Sequence, residues 1–239
     1  MESSIKQLEL RGYVADGIEK KYFYLSTEQR TGLLKSDSPV DRTIGARLLF
    51  NCAEVSVIEY LIEALVAEKK LYPKIEICNS LVSFGKESVG PLILLLGKIG
   101  NNQYREIPKK AFKKTNYPLP RDIVARTITR IGTPALSDLL KCLNSDDLNM
   151  LSEAIDAIGH ICFYKYSANL YIALKECFDK ANINDLIRWK IIRTMSAFPE
   201  SILFLSHLKL TTRNEYFKME IERSLKLINS RYDKDKTRT

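Results

Sequence analysis

The sequence predicts an all-α protein built as a stack of helical hairpins. Three observations carry that prediction. Apolar residues recur at helical spacing along most of the chain. Helix breakers are few, with 10 glycines and 8 prolines in 239 residues. One short apolar pattern returns again and again, the mark of a repeat architecture. A hydrophobic fraction of 45% supplies enough apolar surface for a continuous core.

The repeated pattern is a helix end. Ala53, Gly85, Gly132, Gly159, Ser196 and Asn229 mark the ends of successive segments. Four positions earlier stand Leu49, Leu81, Ile128, Ile155, Ile192 and Leu225, and one position earlier Cys52, Phe84, Ile131, Ile158, Met195 and Ile228. All are apolar, and positions three apart share one side of a helix, so each segment reads as a helix with a buried stripe. Upstream of most markers lies a second amphipathic stretch, such as Ile58-Leu61-Ile62-Leu65 or Leu136-Leu139-Leu140-Leu143.

The elements follow in order. Residues 4–24 are expected to form an extra helix capping the array, within an N-terminal segment 1–25. First helices are expected at 26–36, 55–70, 88–98, 134–143, 167–180 and 200–210. Their partners fall at 39–52, 73–84, 121–131, 148–163, 184–195 and 215–228. A single hairpin of this kind cannot cover its own apolar face, whereas stacked hairpins can. The array thus spans 26–230 with an insertion at 101–120, and residues 231–239 form a fraying tail.

Two stretches resemble HEAT repeats: Leu33-Leu34-Lys35-Ser36-Asp37-Ser38-Pro39-Val40-Asp41-Arg42 with Ala46-Arg47-Leu48-Leu49, and Ala154-Ile155-Asp156-Ala157-Ile158-Gly159. The nearest flavour is the short repeat also found in phycobilisome lyases. The resemblance covers about 26–229 and implies a right-handed α–α superhelix of about six hairpins. It also implies that the second helix of each pair lines a concave face. It implies little about function, because such repeats serve scaffolds, transport factors, maturation factors and occasional enzymes.

The chain carries a formal net charge of +8, which favours acidic proteins, nucleic acid or anionic surfaces as partners. Six positions before the markers stand Arg47, Asn79, Arg126, Glu153, Lys190 and Arg223, and eleven before stand Arg42, Lys74, Arg121, Leu148, Asp185 and Lys218. Stacking would align each set into a ladder off the buried stripe, widened by Arg130, Arg193 and Lys226. On a concave wall such ladders would bind carboxylates or phosphates. The fourth repeat interrupts both ladders with Leu148, Glu153 and Asp156. The competing account is structural: Arg42 paired with Asp37 or Asp41 would join one repeat to the next.

The insertion brings Arg105, Lys109, Lys110, Lys113 and Lys114 together with Tyr104, Phe112 and Tyr117, a mixture suited to nucleic-acid backbones and bases. It reads equally as a solvated loop whose aromatics tuck onto the array. Motifs of catalysis are missing. The two histidines, His160 and His207, lack metal-ligand spacing. Gly97-Lys98 is followed by Ile99 rather than the hydroxyl residue of a phosphate loop. The chain is similar in size and basicity to HEAT-like alkylpurine DNA glycosylases, but Arg193 stands four residues after Trp189 where their pattern needs an aspartate.

The expected function is therefore a non-catalytic scaffold. It would hold an acidic protein or peptide through Arg42, Arg47, Lys74, Arg121, Arg126, Arg130, Lys190, Arg193 and Arg223. Nucleic-acid binding through the same residues and the insertion, with DNA repair as its setting, is the alternative. No metal or cofactor is expected. The five cysteines form no paired motif and sit in apolar stretches, which points to free thiols in a reducing compartment. No signal-peptide-like or membrane-spanning run is found, so the expected location is the cytoplasm.

Overall fold

A computed structural model describes residues 2–109, 115–180 and 182–236. It is all-helical, with no strand among the described residues. The chain forms two compact units, Met1–Leu92 and Ile93–Thr239.

In the first unit, α1 (Glu2–Glu9) is followed by a 3₁₀ turn at Ile18–Tyr22 rather than by one capping helix over 4–24. The break has a local cause. Gly12 and Gly17 adopt φ of +87° and +85°, outside helical space. Gly12 also packs where a Cβ would strike Pro73 and the Pro39 carbonyl. Its carbonyl accepts from Thr43 Oγ1 at 2.6 Å, which fastens the segment to the helix beneath it.

Two hairpins follow, α2 (Thr27–Leu33) with α3 (Pro39–Leu48), and α4 (Val57–Ala67) with α5 (Leu71–Ser83). Ser26 starts α2 with a reciprocal capping box to Gln29, and Ser38 caps α3 with Pro39 in its first turn. Each first helix packs on its own partner, and α3 packs on α5. Val14, Ile44 and Leu48 form a buried cluster covered by Tyr22, Leu25, Leu33 and Val40. The short helix α6 (Val89–Ile93) spans the division between the units in sequence.

The second unit contains α7 (Ile123–Ile131), then α8 (Leu136–Cys142) with α9 (Leu148–Tyr164), α10 (Asn169–Phe178) with α11 (Asp185–Met195), and α12 (Ile202–Thr211) with α13 (Glu215–Lys236). The second helices form one row in which α7, α9, α11 and α13 pack in succession, while α8, α10 and α12 each lie against the helix that follows. This is solenoid packing. The α13 helix runs on to Lys236, through residues expected to fray.

Gly132 ends α7 at φ +82°, as an end marker should. Gly159 does not end α9, which continues to Tyr164. Its lack of a side chain instead makes room for Tyr117, whose phenol would collide with a Cβ there.

Candidate functional site

The ladder register predicted from sequence is present in the second unit, but its charges face one another. Glu153 and Lys190, both six positions before their markers, meet with Nζ–Oε1 at 2.7 Å. Asp156 and Arg193, both three before, form a close ion pair, and Lys190 Nζ also lies 3.0 Å from Asp156 Oδ2. Lys190 is 0% and Arg193 2% exposed. The acidic interruption read in the fourth repeat is thus the counter-charge of the fifth. Lys190 and Arg193 staple α11 to α9, and neither is offered to a partner. That corrects the expectation of two binding cations, and the cause is burial on both sides of the helix row.

Aromatic rings close over this cluster. The Arg193 guanidinium carbon lies 4.5, 5.6 and 5.9 Å from the ring centroids of Trp189, Tyr104 and Tyr117, which suits a planar cation. Tyr117 is buried and exchanges a 2.9 Å hydrogen bond with Thr194. Trp189 is itself buried, so it offers no open face for a base to stack on. The described aromatics of the 101–120 insertion therefore turn inward. Gln103 adds a polar tie: its Nε2 donates to Ile99 O and to Asp122 Oδ2, the buried cap of α7.

The next pair outward is Arg223 with Glu220, at 2.7 Å on α13. Arg223 also donates to the Asn116 carbonyl at 2.9 Å. It lines up with the ladder but is largely covered, with its side chain 9% exposed.

In the first unit Arg42 and Arg47 are half-buried and equally matched. Arg42 binds Glu68 at 2.7 Å and donates to the Ser36 and Asp37 carbonyls. Its carboxylate partner is Glu68 rather than Asp37 or Asp41. Arg47 sits among Glu76 at 3.0 Å, Glu19 at 3.4 Å and Asp16 at 3.8 Å. Lys74 is half-buried on α5.

Three predicted cations stay exposed together, on and just before α7. Arg126 and Arg130 lie one turn apart on the side of α7 opposite buried Val124 and Ile128, and Arg121 precedes the helix. Arg121 rests over the Tyr104 ring at 4.7 Å, and Arg126 donates to the Pro120 carbonyl at 3.0 Å. Arg105 and Lys109 are exposed in the insertion, while Lys110, Lys113 and Lys114 lie outside the described residues.

Burial, reinforced by the neighbouring Asp156 carboxylate, pushes Glu153 up to about 7. Burial would raise Asp156 too, but Arg193 and Lys190 together hold it below the usual carboxylate range. Burial would lower Arg193, and Asp156 overrides it. Burial raises Glu220 and Asp122. In the first unit, desolvation raises the buried Glu68 carboxyl while its bonds from Arg42 and the Lys70 and Lys69 amides bring it below the usual value.

Sequence reasoning missed the acids. Glu153 and Asp156 read as a gap in a basic ladder, yet the ladder positions themselves put them beside Lys190 and Arg193. No cluster of three or more His, Cys, Asp or Glu placed to hold a metal occurs among the described residues. All five cysteines are free thiols, and no described helix is long and apolar enough to cross a membrane.

No family model and no curated protein matches the chain. Among solved structures, an engineered protein from the Northeast Structural Genomics Consortium is similar at 17% identity and TM-score 0.41, over 86% of this chain and 99% of that one. A second engineered protein from the same source is similar at 15% identity and TM-score 0.41, over 85% and 96%. A designed armadillo repeat protein is similar at 16% identity and TM-score 0.39, over 85% and 100%. The repeat architecture itself rests on the helix packing described above.

Proposed function

We propose that this chain is a non-catalytic HEAT-like scaffold of the cytoplasm that holds an acidic protein segment, with Arg121, Arg126 and Arg130 as its main contacts. One observation supports the reading most. Among the predicted binding cations, Arg121 and Arg126 are exposed and have no carboxylate partner among the described residues. Arg42, Arg47, Lys190, Arg193 and Arg223 already bind carboxylates of the same chain. An arginine held by a ring or a carbonyl keeps further N–H donors for a partner carboxylate. The free thiols fit a reducing compartment.

The test is fluorescence anisotropy with poly-L-glutamate and a short DNA duplex, each followed through a salt series. The expected result is poly-glutamate binding that falls at least about tenfold in Arg121→Glu/Arg126→Glu, a loss of roughly 1.4 kcal/mol, with circular dichroism unchanged. Unaltered poly-glutamate affinity in that variant contradicts the proposal. Tighter binding to the duplex with a steep salt slope would move the function to nucleic acid. Changing Lys190 or Arg193 would test folding rather than binding.

A further inference from the structure

We propose that a polar cavity in the second unit binds a sugar phosphate, with side-chain amides taking the hydroxyls and Lys98 with Arg105 taking the phosphate. The cavity measures about 510 Å³ and lies where α9 and α11 begin. Gly97 and Gly100, at φ +73° and +79°, turn the chain along its edge. A Cβ on Gly97 would lie 2.9 Å from Asn149 Cβ, so this loop is seated directly on the first turn of α9.

Unspent hydrogen-bonding groups converge on the cavity. Asn101 and Asn149 line it, and their side chains bond to nothing else among the described residues. Asn184 accepts from the Ile187 amide and keeps its own NH2 without an acceptor among the described residues. The Gln103 nitrogen donates to Ile99 O, which can only accept, and to Asp122 Oδ2, which leaves Oε1 as a spare acceptor. A carboxamide offers a donor and an acceptor side by side, a match for neighbouring hydroxyls. Asp147 and Asn184 already take the first amides of α9 and α11, so recognition falls to side chains rather than helix ends.

Charge and shape narrow the class. Lys98 and Arg105 are exposed and have no carboxylate partner among the described residues. Glu153, the one acid of the described lining, is buried and bound to Lys190 at 2.7 Å. Two open cations suit a phosphate monoester, a dianion near neutral pH, and arginine can hold two of its oxygens. The Tyr104 ring is occupied by Arg121, Arg193 and Trp189, so it leaves no open face for a flat aromatic ligand. The site uses none of the arginines proposed to hold an acidic segment, and failure of that proposal leaves it standing.

The experiment uses the full chain and four probes: glucose 6-phosphate, glucose, inorganic phosphate and phenyl phosphate. Calorimetry gives the affinity and amide NMR the position. Glucose 6-phosphate is expected to bind saturably, at least about tenfold more tightly than each of the other three. It should move the amides of 97–105 and the side-chain NH2 signals of Asn149 and Asn184. Asn101→Ala/Asn149→Ala should lower its affinity toward that of inorganic phosphate, and Lys98→Met/Arg105→Met toward that of glucose. All four of these residues are exposed, and circular dichroism checks that each variant folds. The comparison of probes on the parent chain needs no variant. No saturable glucose 6-phosphate binding, equal or tighter binding of phosphate or phenyl phosphate, shifts confined to other parts of the chain, or full affinity in either folded variant would each overturn the assignment.

Discussion

The two units solve one electrostatic problem at different depths. In the first, Arg47 meets three carboxylates with its side chain 18% exposed. In the second, Lys190 and Arg193 meet Glu153 and Asp156 with essentially no exposure at all. Arg47 and Lys190 hold equivalent sequence positions, and the carboxylate partners of Arg47, Lys190 and Arg193 come from other elements of the stack. What differs is the medium. Water screens the first set and lowers both its benefit and its cost. The second set has no water to fall back on, so each member is held in place by the others.

That contrast predicts a graded response to substitution. The largest loss is expected for Asp156→Asn, which leaves Lys190 and Arg193 buried with a single carboxylate between them. It should cost about 3–5 kcal/mol, read by urea unfolding through the fluorescence of Trp189, the one tryptophan of the chain. Gly159→Ala should follow at about 1–3 kcal/mol, because the new methyl must displace the Tyr117 ring in a filled interior.

The third expectation concerns pH. Glu153 holds its proton up to about pH 7 in the folded state, above the 4.5 of an unperturbed glutamate. Between those values the folded chain binds the extra proton, so the Glu153 contribution to stability declines as pH rises and levels off above 7. The decline should appear in the parent chain and vanish in Glu153→Gln when unfolding is measured between pH 5 and 8. Arg47→Ala comes next, at about 1 kcal/mol, visible as faster amide exchange in α3. Arg126→Ala should move stability by less than about 0.5 kcal/mol while weakening poly-glutamate binding.

Much of the fold was legible because helical periodicity is a local signal. The pattern ending at Ile131 and Gly132 places α7, and the equivalences Glu153–Lys190 and Asp156–Arg193 emerge from counting back from the markers. Tertiary effects were not legible. Gly159 carries the same residue type as Gly132 but serves as a space for Tyr117, a contact reaching across the chain. Gly12 and Gly17 fall inside the helix expected over 4–24, and only their left-handed backbone shows why it breaks. For the candidate site, the basic residues were found and their burial was not. The sign of a ladder is visible in sequence, but the counter-charge 37 residues away is visible only once the repeats are laid side by side.

The direct test of charges that staple hairpins rather than await a partner is a double-mutant cycle on the Glu153–Lys190 pair. Glu153→Gln, Lys190→Met and the double variant would be unfolded in urea with Trp189 as the probe. A favourable coupling energy of about 2 kcal/mol or more is expected, with the double variant more stable than the sum of the single losses predicts. A coupling near zero, with both single variants as stable as the parent, would contradict it.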